Sequence, residues 1–310
     1  MPDRPPNVLL LVLDALRADA VEPFGAPPGS SPALAELARR DERVRVTSQA
    51  PRGLAAAINV GCALAAGPLI ARMDADDVAL PDRLERQIEY LDRHREVALL
   101  GGGIVVVDEA GREIDREPGR VTNLLARNEL VHATVVMRAE AFRELGGYRL
   151  DQSEDYDLWL RFDEHYGVAA LEQPVIRYRL HPGQFSVTKL ERQALGSLCV
   201  RVAARARRAG EAGPLTGVDR IDDAVAARLG VSREQIDGQV VGDAVQWAAT
   251  LQRVGRAREA GALLDLAAGV AGAPPRRSLS RQAQLLLLKR AVRHGRVRES
   301  ARRLAAWAFA

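Results

Sequence analysis

The side chains best placed to hold a cation in this 310-residue chain are the carboxylates of Asp74-Ala-Asp-Asp77. They follow a hydrophobic run, Leu69-Ile-Ala-Arg-Met73, that reads as a buried strand. In open α/β sheets, ligands bind beyond the carboxyl ends of strands. Asp74 and Asp76, two residues apart, can converge there on one hard cation, Mg²⁺ or Mn²⁺, bridged to a diphosphate. The same residues also suit a solvated acidic turn in which Asp77 caps the next helix. The two cysteines, Cys62 and Cys199, are too few for a four-thiolate zinc site or a disulfide framework. They read as small core fillers in a reducing compartment.

The elements that would position these groups alternate. Val8 to Leu13 is a continuous apolar run ending at Asp14, the pattern of a strand buried on both faces. A Pro/Gly-rich loop follows, and Ser30-Ser31-Pro32 opens a predicted helix through Arg40. Val44–Val46 predicts a short strand, Gly53–Ala66 a helix, Leu69–Met73 a strand, and Pro81 to about His94 another helix. Val97–Val107 reads as strand. This alternation predicts a mainly parallel α/β sheet. Val131–Met137 and Val175–Tyr178 are further strands, with a helix starting near Glu154 between them. From about Leu190 the pattern turns helical, with breaks at Gly210–Gly213 and Ala271–Pro275. The boundary is set near residue 190, giving an α/β domain over 1–190 and an α-helical appendage over 191–310. Ala244–Val270 reads as a helix–turn–helix pair of tetratricopeptide-like form, present once.

Several runs occur together and in order: Arg52-Gly-Leu-Ala-Ala-Ala-Ile-Asn-Val-Gly61, Pro68-Leu-Ile-Ala-Arg-Met-Asp-Ala-Asp-Asp77 and Pro81-Asp-Arg-Leu-Glu-Arg-Gln87. Later come Gly146-Gly-Tyr148, Glu154-Asp-Tyr-Asp-Leu-Trp-Leu-Arg161 and Tyr178-Arg-Leu-His-Pro-Gly-Gln-Phe-Ser186. Over roughly residues 30 to 190 the chain resembles the family 2 glycosyltransferases of the GT-A fold. The resemblance implies an inverting transfer of sugar from a nucleotide-sugar donor to a hydroxyl acceptor, a glycan or a lipid-linked sugar. Asp74 and Asp76 correspond to the Asp-X-Asp carboxylates that hold a divalent cation, Mn²⁺ or Mg²⁺, and the sugar-nucleotide. Asp155 corresponds to the general base that takes the acceptor's proton. Glu154 would orient that base or touch the acceptor, and Asp157 and Trp159 fall on the acceptor side, although the helical position of Trp159 suits burial in the core at least as well. His181 matches a position near the diphosphate, as a third metal ligand or as a phosphate neutraliser with Arg179. Arg52 and Asn59 match positions that contact the nucleotide; Asn59 serves equally well as a packing polar group. His132 reads as a satisfied, partly buried histidine.

The N-terminal part departs from the family pattern. The interval between the first strand and the Ser30–Arg40 helix leaves out one β-α unit, and Asp14 takes the place of the nucleotide-contacting acid. A pocket so shortened leaves a second reading: a catalytically impaired descendant that binds a sugar or a partner. Pro6–Asp19 also resembles the start of sulfatases, yet neither cysteine opens a Cys-X-Pro-X-Arg nucleophile motif.

A net charge of +3 gives no global signature for polyanions, and no apolar run is long enough to span a bilayer. The expectation is a cytoplasmic protein that does not bind nucleic acid. Arg276–Arg303 is rich in basic residues, holds one acid, Glu299, and is interleaved with leucine and valine. Such a helix suits peripheral contact with an anionic membrane face, or packing of its apolar side on the body with its arginines solvated.

Overall fold

The computed structural model describes residues 8–12, 39–45, 47, 50, 52–180, 189–253 and 255–270. Two compact units emerge. The described residues up to Ile104, with Pro118–Thr122 and Glu129–Tyr178, form the first. Val105–Glu117, Asn123–Asn128 and the described residues from Arg179 onward form the second. The division thus falls after Tyr178 and takes in a hairpin of the α/β part, whereas the sequence pattern sets it near 190.

Elements follow in the order β1 (Val8–Val12), α1 (Leu54–Ala63), β2 (Leu69–Met73), β3 (Val78–Ala79), α2 (Arg83–Arg93), β4 (Val97–Val107) and β5 (Glu113–Glu117). A 3-10 turn over His132–Thr134 leads into β6 (Val136–Arg138), α3 (Ala139–Glu144), α4 (Glu154–His165) and β7 (Gly167–Arg179). The sheet runs β1-β2-β6-β4-β7-β3, with β5 paired to β4. β1 pairs with β2 in parallel, whereas β2–β6, β4–β6 and β3–β7 are antiparallel. The sheet is therefore mixed rather than mainly parallel. The three-residue β6 enters from a 3-10 turn instead of a crossover helix, so nothing forces it to run with its neighbours. Val131 to Met137 is accordingly not one strand, β7 is longer than Val175–Tyr178, and Val44 and Arg45 lie outside any strand. The Ser30–Arg40 helix lies outside the described residues except for Arg39 and Arg40, which are helical.

β2 is buried along its whole length, and alternation sends its residues to opposite faces. Leu69 and Ala71 pack with Leu91, Val97, Leu100 and Val136, beside Leu84 and Ile88 of α2. That places Arg72 on the other face of the sheet. Helix α2 buries Arg83, Gln87 and Leu91, one residue per turn. The register sets Val12 opposite Met73, so β1 ends level with the strand that leads into Asp74.

The second unit contains α5 (Leu190–Arg208), α6 (Asp223–Arg228), α7 (Arg233–Arg253) and α8 (Ala257–Val270). Asp222 caps α6, accepting from the Val225 N–H at 2.9 Å. Gly255, at φ +76°, makes the turn between α7 and α8, which pack as the expected helical pair. Arg201 of α5 donates to Gln239 of α7 at 2.8 Å and to the Ala126 carbonyl at 2.6 Å. Among the described residues no helix is long and apolar enough to cross a membrane.

Candidate active site

The buried strand β2 ends where the chain meets Asp74, and the next residues turn back into β3. One oxygen from each of Asp74, Asp76 and Asp77 lies within 4.8 Å of the others. Three carboxylates so grouped suit a hard divalent cation. Two buried guanidinium groups lie close behind them. Arg72, 3% exposed, is ion-paired with Asp74. Arg83, 1% exposed, donates to the Arg72 carbonyl at 2.7 Å, to Met73 Sδ at 2.9 Å and to Gln87 Oε1 at 3.0 Å. Gln87 in turn donates to the Thr134 carbonyl at 2.8 Å. Burial, then the Arg72 charge, lowers the Arg83 guanidinium to about 10, and the Asp77 charge opposes the shift. Helix α2 thus braces the end of β2 from below and sets a counter-charge against Asp77.

The second acidic group sits at the start of α4. Ser153, just before it, has φ 51°, the one left-handed non-glycine residue among those described. Strain of this kind gathers at functional sites. It aims the chain so that Glu154 and Asp155 begin the helix. The Tyr156 N–H donates to Asp155 Oδ1 at 2.7 Å. Burial, then the charge of Asp155, pushes the Glu154 carboxyl up to about 7, while the Arg72 charge opposes the rise.

An aromatic cluster joins the 3-10 turn before β6 to α4. His132 Nε2 is 2.8 Å from the Tyr148 hydroxyl, and its ring meets Trp159 edge-on, with centroids 5.5 Å apart. Burial and the Arg72 charge hold the His132 imidazole well below its ordinary range, so it is neutral at pH 7. Burial also pushes the Tyr148 phenol well up.

Four of the residues expected in the site have other duties. Asn59 bonds both ways with the Tyr148 main chain: Nδ2 donates to its carbonyl at 2.7 Å and Oδ1 accepts from its N–H at 3.0 Å. It pins the Gly146–Tyr148 loop. Gly147, at φ +68°, leaves that loop room, since a Cβ there would lie 2.7 Å from Asn59 Oδ1. Trp159 is wholly buried, so it offers no face to a sugar. Asp157, also 0% exposed, accepts from Arg149 at 2.9 Å and from Arg161 at 3.0 Å, making it an internal anion rather than an acceptor ligand. Arg161 carries that order onward, donating to the Leu145 and Gly147 carbonyls at 2.6 and 2.7 Å. Arg179 donates to the Glu109 carbonyl at 2.8 Å and the Asp108 carbonyl at 3.3 Å, within the second unit. These bonds tie its Nη1 to the β4–β5 connection. Arg52 is exposed just before α1. Asp14 and His181 lie outside the described residues.

Sequence reasoning missed Arg72 and Tyr148 as parts of the site. An arginine inside an otherwise apolar strand two residues before an aspartate was the available signal, because a buried cation demands a partner.

Comparison with known proteins bears on this site. Residues 25–144 match the model for Glycosyl transferase family 2. The putative glycosyltransferase EpsE of Bacillus subtilis (strain 168) is 38% identical over 139 residues, 41% of this chain and 49% of EpsE. The amylovoran biosynthesis glycosyltransferase AmsE of Erwinia amylovora is 37% identical over 115 residues, 35% of this chain and 43% of AmsE. The chain's matches therefore span about half the length of these curated relatives. The structure of S. aureus TarS 1-349 in complex with UDP-GlcNAc aligns at TM-score 0.44 and 13% identity, over 90% of this chain and 79% of that 1-349 chain. The residues that match this family model, 25–144, carry the acidic turn. The α/β part is followed in the chain by a helical region, as the sequence pattern indicates.

Proposed function

We propose that the chain is an inverting, metal-assisted glycosyltransferase that moves a sugar from a nucleoside-diphosphate donor to a hydroxyl of a glycan or lipid-linked acceptor. The observation that carries this is the paired acidic sites on one unit: a cation-suited triad at the end of β2 and Glu154–Asp155 at the head of α4. β1 also runs parallel to β2, beside the strand that leads into the triad, so the departure at the N-terminal part does not move the first strand elsewhere. That pairing favours an active transferase over an impaired binding module.

Asp74 and Asp76 would hold Mn²⁺ or Mg²⁺, with Asp77 close by and set against Arg83. When bound, the cation supplies charge stabilisation for the departing diphosphate. Asp155 takes the proton of the acceptor hydroxyl. The acceptor oxygen then bonds to the anomeric carbon from the face opposite the diphosphate. The bond from that carbon to the diphosphate oxygen breaks with its electron pair, and the anomeric centre inverts. Glu154 holds a proton more readily than an ordinary carboxyl and supports Asp155 without competing as a second full negative charge. Relatives named for amylovoran and O-antigen biosynthesis favour a growing polysaccharide as acceptor. Contact of the basic C-terminal segment with an anionic membrane would bring the chain to lipid-linked acceptors.

The test is turnover of a panel of nucleotide sugars with Asp155→Asn beside the native chain. Asp155→Asn should lose at least about 10²-fold in rate, the usual contribution of a general base, while binding nucleotide as before. Native-level turnover in Asp155→Asn would remove it as the base.

A further inference from the structure

We infer that Gln87 is a positioning residue for cation binding: its buried amide fixes Arg83, and Arg83 fixes the end of β2, from which the acidic turn leaves the sheet. The inference rests on the transferase reading above. A gap in the sheet creates the need. β2 and β6 pair from Leu69 opposite Arg138 to Ala71 opposite Val136. Beyond Ala71, β6 gives way to the 3-10 turn, and the Arg72 N–H donates to the Val135 carbonyl at 3.0 Å. The N–H and C=O of one strand residue leave the chain on the same side, so the Arg72 carbonyl faces that turn as well. The Thr134 and Val135 N–H groups of the turn bond instead to the Val131 and His132 carbonyls, at 2.9 and 3.4 Å. Arg83 Nη2 supplies the missing donor to the Arg72 carbonyl at 2.7 Å, and Nη1 reaches the next residue at Met73 Sδ, 2.9 Å away.

Gln87, one helical turn after Arg83, holds that guanidinium in place. Its Oε1 accepts from Arg83 Nε at 3.0 Å, while Nε2 donates to the Thr134 carbonyl at 2.8 Å and to the Leu100 carbonyl at 3.3 Å. The amide thus uses its oxygen and both its hydrogens. Thr134 Oγ1 ties the same turn to β4, accepting from the Gly102 N–H at 3.2 Å and donating to the Val131 carbonyl at 2.7 Å. Gln87 and Arg83 are both buried, so their effect on a cation passes through the main chain. Arg83 grips Arg72 and Met73, the two residues that immediately precede Asp74, and so aims that carboxylate. Without the Gln87 amide, Arg83 Nε would be a buried donor lacking its partner, a costly state that a turn of the guanidinium would relieve. The Arg72 carbonyl would then lose its donor, and the end of β2 its fixed direction.

The experiment titrates Mn²⁺ alone into the full-length chain and reads free Mn²⁺ by electron paramagnetic resonance. Native protein should bind Mn²⁺. Gln87→Met, neutral and of similar volume, should bind it at least about tenfold more weakly, the low end for residues that hold metal ligands in place. Arg83 keeps its charge in that variant, so the loss reports position rather than field. Asn59→Leu weakens the fold at the Tyr148 loop and should bind Mn²⁺ as native protein does. An equal loss in Asn59→Leu would make the effect one of stability and overturn the role. Where Gln87→Met fails to fold, Arg83→Lys takes its place with the same expected weakening, since it keeps the charge but has no fork to hold Gln87 and the Arg72 carbonyl at once. A folded variant with native Mn²⁺ affinity would overturn the inference alone. A native chain that binds no Mn²⁺ would overturn the metal-assisted reading and the inference with it.

Discussion

Replacing Asp157 with alanine separates the two duties this residue could have. Its carboxylate is 0% exposed and receives Arg149 Nη2 at 2.9 Å on one oxygen, and Arg149 Nε and Arg161 Nε at 3.1 and 3.0 Å on the other. Arg161 is itself buried, and it anchors the Leu145 and Gly147 carbonyls that shape the loop carrying Tyr148. Removing Asp157 leaves that guanidinium buried without its anion. Breaking a buried pair from one side costs about 3–5 kcal/mol. At about 2–4 °C per kcal/mol for a unit of this size, Tm should fall by roughly 6–20 °C. Arg149 is a third exposed and adds little to that figure, because solvent screens it. The assay is thermal unfolding by circular dichroism, with nucleotide-sugar turnover measured well below Tm. A Tm within about 1 °C of native, together with a raised KM for acceptor, would refute the reasoning and return Asp157 to the acceptor site.

Two more outcomes follow from the same geometry. Asn59→Leu strips both partners from the Tyr148 main chain and should cost about 1–3 kcal/mol in urea unfolding, with nucleotide affinity unchanged. Glu154 has a folded-state pKa raised from 4.5 to about 7, so it stabilises the fold below pH 4.5 and loses that contribution as pH climbs through 7. Glu154→Gln should therefore be more stable than native protein at pH 8, by on the order of 1–3 kcal/mol, and no more stable at pH 4. Equal Tm values at both pH values would contradict the burial of that carboxyl.

The strands that are apolar on both faces were legible because their residues have no other place to go: Leu69–Met73 and Val97–Val107 fall where the pattern sets them. The acidic turn was legible too, since three aspartates cannot continue a buried strand. Strand direction was not, because alternation of elements says nothing about a three-residue strand entered from a 3-10 turn. The role of Asp157 was hidden for a different reason. Spacing along a helix does not reveal which carboxylate is spent on an internal arginine. Arg72 was hidden because its burial, its ion pair with Asp74 and the Arg83 guanidinium on its carbonyl exist only once β2 and α2 are folded together.

In the proposed transferase the triad after β2 would hold a metal and a nucleoside diphosphate together. Calorimetric titration of UDP, GDP and dTDP with Mn²⁺, repeated with a chelator and with Asp76→Ala, tests it most directly. One of the three should bind, chelator should abolish the binding, and Asp76→Ala should weaken it at least about tenfold, about 1.4 kcal/mol. A folded chain that binds none of them, or binds one equally well with and without metal, would contradict it.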